Sequence, residues 1–279
     1  MPTNRFPDSL EKQSLRRRDA VLLEDFKTRV TPGGLRYCGL TSAEFKDVQV
    51  WRQHLKDVFA VESDTALLND LDIHWRQLHL GLRLRVVPGD ILDYLRGDSC
   101  PIFDVYNLDF CGGFTNPRRD GSSRCREAIR GLASRHRQHQ SSFVLIATFN
   151  VRDRGVEQYD ALLSEIRLAL EGMANVDANL NAHEKTHATK IKLSFTYTCW
   201  HDGVANDFSV EFEDAFVYNS GSTTLVHFYA EFMHQPKAVP TPHANRDALV
   251  QLANLPLKRM DGRIARTELN PPPISRLSL

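Results

Sequence analysis

The chain reads as an α/β protein with a doubly wound, mostly parallel sheet that closes in a C-terminal antiparallel hairpin, flanked by N- and C-terminal arms. Three patterns predict this. Gly33 to Asp64 reads as strand, helix, strand. Further strand and helix units follow it as far as Leu170, five in all. After Thr189 long alternating runs separated by glycine and asparagine turn signals replace the helix-bearing connections. The expected divisions are an N-terminal arm and helix over 1–32, the α/β domain over 33–235, and a proline-rich C-terminal arm with one helix over 236–279.

The elements follow in order. The polar residues 1–19, with Arg16-Arg17-Arg18 read as a solvated run, lead into a helix over Ala20 to Val30, which Thr31-Pro32-Gly33-Gly34 breaks. Leu35 to Gly39 is the first strand. Thr41 or Ser42 is the expected N-cap of a helix starting near Ala43, with Phe45, Val48, Trp51, Arg52 and Leu55 on one face. Val58 to Val61 is the second strand and stops at Glu62. Asp64 caps a helix that buries Leu67, Leu68, Leu71 and Trp75. Leu82 to Val87 is the third strand, followed by Pro88-Gly89-Asp90 and a short helix from Ile91 to Leu95. Phe103 to Phe110 is the fourth strand and enters Cys111-Gly112-Gly113-Phe114. Gly121-Ser122-Ser123 starts an arginine-rich helix, Ser142 to Phe149 is the fifth strand, and Tyr159 to Leu170 is the next helix. Lys190 to Trp200, Phe208 to Tyr218 and Thr224 to His234 read as strands, the last two as a hairpin around Asn219-Ser220-Gly221. A helix over Asn245 to Leu255 and the tail Asn270-Pro271-Pro272-Pro273, expected to wrap a partner or stay mobile, complete the chain.

Composition narrows the function. The 279 residues suit one α/β domain with appendages. Lysine plus arginine and aspartate plus glutamate number 35 each, so no global field draws polyanions and nucleic-acid contact requires a local basic patch. No apolar run reaches the roughly 18 residues of a membrane span, and the first residues lack the apolar core of a signal peptide. A cytoplasmic protein without a membrane partner is therefore expected. Cys38, Cys100, Cys111, Cys125 and Cys199 are odd in number and show no C-x-x-C spacing, which predicts reduced thiols and no cysteine zinc site.

Ligands of such sheets bind at the carboxyl ends of the strands. Gly39 lets a ligand approach the first turn. Glu62, 23 positions on, is placed to accept hydrogen bonds from ribose hydroxyls. Asp90 either accepts from an adenine amine or caps the helix after it. Asn107 and Asp109 bracket the end of the fourth strand, and Phe110 and Phe114 either stack on a planar substrate or belong to the core. The segment Arg118 to Arg137, with Arg118, Arg119, Arg124, Arg126, Arg130, Arg135 and Arg137 against Asp120 and Glu127, either grips phosphates or forms ion pairs on a solvated face. His183-Glu184-Lys185-Thr186-His187 matches H-E-x-x-H, but that pattern needs an apolar helix. Asn175 to Asn181 is rich in Asn and Asp, so a surface loop is expected and no metal ligand is assigned.

With acids after strands two and three, Asn-Leu-Asp-Phe after strand four and a closing hairpin, the chain from Leu35 to about His234 resembles the class I S-adenosylmethionine-dependent methyltransferases. The first loop, Cys-Gly-Leu-Thr-Ser-Ala, carries one glycine where that family usually has two or three. The resemblance implies S-adenosylmethionine as cofactor, with Gly39 under its methionine part, Glu62 on the ribose and Asp90 at the adenine. Asn107 to Gly112 is similar to the Asp-Pro-Phe-Gly segment of enzymes that methylate base amines in RNA; Asp109 and Gly112 align, while Phe110 replaces proline and Cys111 replaces phenylalanine. It implies a nucleic-acid or nucleotide acceptor, Asp109 and Asn107 at the transfer site, and Phe110, Arg124 and Arg130 on the substrate. The alternative is a catalytically silent relative that serves as a binding or assembly module, with a protein partner or second copy held by the terminal arms.

Overall fold

The computed structural model describes residues 8–42, 44–97, 99–110, 113–114, 123–151, 156–169, 186–213, 215–235, 248 and 250–260. In chain order the elements are α1 (Leu10–Val30), β1 (Leu35–Gly39), α2 (Lys46–Trp51), β2 (Leu55–Glu62), α3 (Leu68–Leu78), β3 (Arg83–Pro88), α4 (Ile91–Arg96) and β4 (Val105–Asp109). They continue with α5 (Arg124–Gln138), β5 (Phe143–Asn150), α6 (Val156–Ala169), α7 (His187–Val204), β6 (Phe208–Phe212), β7 (Ala215–Ser220), β8 (Thr223–His234) and β9 (Leu257–Arg259). The sheet runs β3-β2-β1-β4-β5-β8-β7-β9, and β6 pairs with the second half of β8. Strands β1 to β5 are parallel, while β8 is antiparallel to β5, β6 and β7. This mixed sheet, whose strand order reverses between β1 and β4 and which closes with an antiparallel insertion, is the class I methyltransferase-like fold.

Strand parity divides the core. Leu35, Tyr37, Val58, Ala60, Val105, Val144 and Ile146 pack with Leu22, Leu23 and Phe26 of α1 and Trp51 of α2. Cys38, Val61, Tyr106, Leu108, Leu145, Ala147 and Phe149 point the other way, into a larger cluster with α4, α5, α6 and α7. The same alternation decides what reaches the carboxyl edge on each face.

Several expected boundaries are corrected. Helix α1 starts at Leu10, not Ala20, with the Ser9 hydroxyl accepting from Lys12 N at 3.3 Å. Its buried stripe, Leu15, Arg16, Asp19, Leu22, Leu23 and Phe26, keeps helical spacing, but polar residues fill its first half and disguise it. Arg16 is 8% exposed, so the arginine run is not solvated at that position, while Arg17 is exposed. Helix α2 is short. Neither Thr41 nor Ser42 caps it; Phe45 stands at its start in the left-handed region, φ 47°, and its buried ring meets Trp75 edge-on at 5.0 Å. Burying that ring offsets a backbone strain of about 1 kcal/mol or more. The segment Lys190 to Trp200 is helix, not strand. Its apolar and hydroxyl residues alternate, but α7 is buried all round, so no amphipathic period is required of it. The Thr196 hydroxyl bonds back to Lys192 O at 2.8 Å, satisfying itself within the helix.

The expected strand Phe208 to Tyr218 is two strands, β6 and β7, on opposite halves of β8. The C-terminal segment also rejoins the sheet. β9 pairs with β7, and the buried Lys192 ammonium donates to Ala253 O at 3.1 Å and Leu255 O at 2.8 Å, tying the end of helical residues 250–254 to α7. Cys111, Gly112, Arg118, Arg119, His183 and Glu184 lie outside the described residues, as do 236–247 and 261–279.

Candidate active site

The carboxyl ends of β1, β4 and β5 meet under the first half of α1. Asn107, 4% exposed, donates through Nδ2 to the Tyr37 hydroxyl at 3.2 Å and to Asp47 Oδ2 at 3.1 Å, while its carbonyl accepts from Leu40 N. Trp51 Nε1 donates to Arg16 O at 2.8 Å and anchors α1 over this edge. Lys12 pairs with Asp109, and Arg16 bridges Asp47 and Asp8. Burial works against the Lys12 ammonium, but Asp109 and Asp47 outweigh it and hold its pKa above the ordinary value. Burial, reinforced by Asp47, pushes the Tyr37 phenol well up, so it is a neutral hydroxyl.

Gly39 is crowded by the chain's own atoms. A Cβ on Gly39 would stand 2.6 Å from both Asn107 O and the Tyr37 hydroxyl. The glycine admits the chain's own Tyr37 and Asn107, and the space it leaves is filled from within.

Glu62 and Asp90 occupy the neighbouring strand ends. β2 and β3 pair with Glu62 opposite Pro88, and Gly89 N donates to Glu62 O at 2.9 Å, which brings the two acids to one edge. Glu62 accepts from Asp64 N at 2.8 Å through Oε1 only. Asp90 caps α4 through Oδ1, taking Leu92 N at 2.8 Å and Asp93 N at 3.3 Å, and the same oxygen receives Arg124 at 2.7 Å. Each acid keeps its other oxygen without a partner among the described residues.

The arginine helix is largely spoken for. Arg124 also reaches Asp93 at 2.9 Å, Arg126 meets Glu165 at 3.0 Å, Arg130 meets Asp202 at 3.5 Å and Arg137 meets Asp207 at 2.8 Å. Arg135 donates to the carbonyls of Leu95 and Gly97. Phe110 stacks on Phe149 with centroids 5.5 Å apart, and Phe114 lies buried edge-on to Phe149 and Phe195. Phe114 is therefore a core residue, and Phe110 gives one ring face to the core.

A small cleft, with room for about one water molecule, lies between α1 and the sheet. It is lined by Lys12, Arg16, Asp47, Asn107 and Asp109, and also by Thr148, Tyr218, His227 and Asp19. Of these, sequence reasoning singled out only Asn107 and Asp109. The others converge from α1, α2, β5, β7 and β8, and no local spacing links them.

No family model matches the chain, and no curated protein does. Among solved structures it is similar to magnesium protoporphyrin IX methyltransferase from Synechocystis with bound SAH (12% identity, 79% of this chain and 83% of that one, TM-score 0.45). It is also similar to a putative O-methyltransferase from Klebsiella pneumoniae (10%, 80% of each chain, TM-score 0.42). A third is the YcgJ protein from Bacillus subtilis (9%, 78% of this chain and all of that one, TM-score 0.43). The strand order, and not these distant likenesses, defines the fold class. Among the described residues no helix is long and apolar enough to cross a membrane, and no cluster of three or more His, Cys, Asp or Glu side chains is placed to hold a metal ion.

Proposed function

We propose that the chain binds S-adenosylmethionine at the carboxyl edge of β2 and β3 and transfers its methyl group to a small acceptor. The observation that carries this reading is the pair Glu62 and Asp90: carboxylates at adjacent strand ends, each with an oxygen that has no partner among the described residues. A carboxylate accepts two ribose hydroxyls well, and a second accepts from an exocyclic amine. The outer half of an adenosyl group thus fits the donors and acceptors present. The bound cofactor supplies an electrophilic methyl group. Asn107 and Asp109 border the acceptor side, where orientation of the acceptor is the main contribution such a site makes to rate.

A small acceptor is proposed in place of a nucleic acid because the described arginines of the Arg124 to Arg137 helix already have partners within the chain. A second reading, a relative without transfer activity that binds or assembles with others, rests on the inner crevice: Tyr37, Lys12 and Arg16 fill the space beside Gly39 and Asp109. Calorimetric titration with S-adenosylmethionine separates the two. Binding that weakens by about tenfold or more in Glu62→Ala, the loss of 1.4 kcal/mol or more, supports the cofactor site. Absence of binding at millimolar ligand, or unaltered binding by Glu62→Ala, favours the silent relative.

A further inference from the structure

Helix α1 is held to the sheet in two different ways. Its second half is fastened by apolar burial: Leu22, Leu23 and Phe26 are buried in the cluster that covers β1, β2 and β4. Its first half, Leu10 to Arg18, buries one apolar side chain, Leu15, and is otherwise fastened by polar ties. Lys12 pairs with Asp109, Arg16 pairs with Asp47 and Asp8, Arg18 meets Glu213 at 3.1 Å, and Trp51 Nε1 donates to Arg16 O. Segments with few buried apolar contacts open at the lowest free energy. The first half of α1 is therefore the part that can leave the sheet while the second half stays.

What it covers is the inner end of the strand edge. Asp47 and Asp109 line a crevice with room for about one water, and cations of α1 sit on both carboxylates. Glu62 and Asp90 are different, because neither takes a partner from α1 among the described residues. In the order β3-β2-β1-β4, a ligand whose adenosine part lies at the ends of β2 and β3 extends its tail over β1 toward β4, where Asp109 stands. S-adenosylmethionine is divided in the same way. Its adenosine part is neutral, and its methionine part carries an ammonium and a sulfonium. Two cations of the ligand thus correspond to two cations of α1.

We propose that the first half of α1 is an autoinhibitory plug: Lys12 and Arg16 hold Asp109 and Asp47 in place of the cationic end of the cofactor, so the closed chain accepts the nucleoside part and admits the whole cofactor only when α1 opens between Leu10 and Arg18. This rests on the cofactor reading above. The apparent affinity for the whole cofactor is then reduced by the open fraction, while the affinity for adenosine is not.

The test compares the full chain with Lys12→Met and Arg16→Met. Methionine is a good helix former and has no charge to offer a carboxylate. The Asp109 side chain is 25% exposed, so water can replace the lost ammonium and Lys12→Met is expected to fold. The readouts are calorimetry with adenosine and with S-adenosylmethionine, and hydrogen exchange of the α1 amides in the wild type saturated with each. Adenosine is expected to bind all three proteins alike. S-adenosylmethionine is expected to bind each variant about tenfold more tightly than the wild type. In the wild type it is expected to speed exchange over Leu10 to Arg18, which adenosine leaves unaltered. Affinity for S-adenosylmethionine no higher in the variants, or exchange over Leu10 to Arg18 that it leaves unaltered or slows, overturns the plug; adenosine binding that Glu62→Ala weakens then keeps the cofactor reading standing. Absence of adenosine binding in the wild type and both variants overturns both.

Discussion

His136 shows how one buried side chain can set the response of the fold to acid. The Tyr106 hydroxyl donates to its Nε2 at 2.9 Å while accepting from Phe103 N, and its Nδ1–H donates to Ser141 O at 3.1 Å, joining the end of α5 to the start of β4. Burial, against the hydrogen bond to Ser141, brings its pKa down to about 3. The folded state therefore keeps the imidazole neutral, while an unfolded chain takes a proton as pH falls below the ordinary value of 6.5. The sign follows: this stability is present above about pH 6.5 and is lost as pH falls toward 3, by about 2 kcal/mol at pH 5. Denaturant titrations at neutral and mildly acidic pH are expected to show a steeper loss in the wild type than in His136→Phe; parallel losses would contradict the assignment. At this scale the sequence was legible where chemistry follows chain order. Glu62, Asp90, Asn107 and Asp109 do stand at strand ends. Arg16 and Asp19 were not legible, because a polar residue within an arginine-rich helix start looks solvated until the strands that cover it are in place, and His227 was not, because its neighbours Thr148 and Asp19 are distant in sequence.

Gly39 and the elements around it carry the next prediction. A methyl group added there meets Asn107 O and the Tyr37 hydroxyl at 2.6 Å, and backbone cannot retreat as a flexible side chain would. Gly39→Ala is expected to cost about 1–3 kcal/mol by overpacking. Tyr37→Phe in the same chain removes the hydroxyl contact, leaving the ring Cζ at 2.9 Å, and is expected to recover part of that cost in a double-mutant cycle. Additive effects in denaturant titration would mean that the tyrosine is not the obstacle. The elements were read well where an amphipathic period or a turn signal marked them, as for β1, α3, α4, β5 and β8. They were misread where tertiary burial overrode local pattern. α7 alternates like a strand and is helical because every side of it is covered, and α2 starts from a left-handed phenylalanine that no capping rule anticipates.

For the whole molecule, the order β3-β2-β1-β4-β5-β8-β7 sets the candidate site, because it brings the ends of strands distant in sequence to one edge. The fold class was legible from the succession of strand and helix units and the closing hairpin. The integration of both terminal segments was not, since α1 covers the site with side chains that carry no apolar period, and β9 is three residues long. The central claim is that Glu62 and Asp90 flank a single adenosyl site. It is tested most directly by a structure of the chain with S-adenosylhomocysteine bound. The account predicts the ribose hydroxyls on the Glu62 carboxylate and the adenine amine beside Asp90; a ligand bound elsewhere, with both carboxylates unengaged, would contradict it.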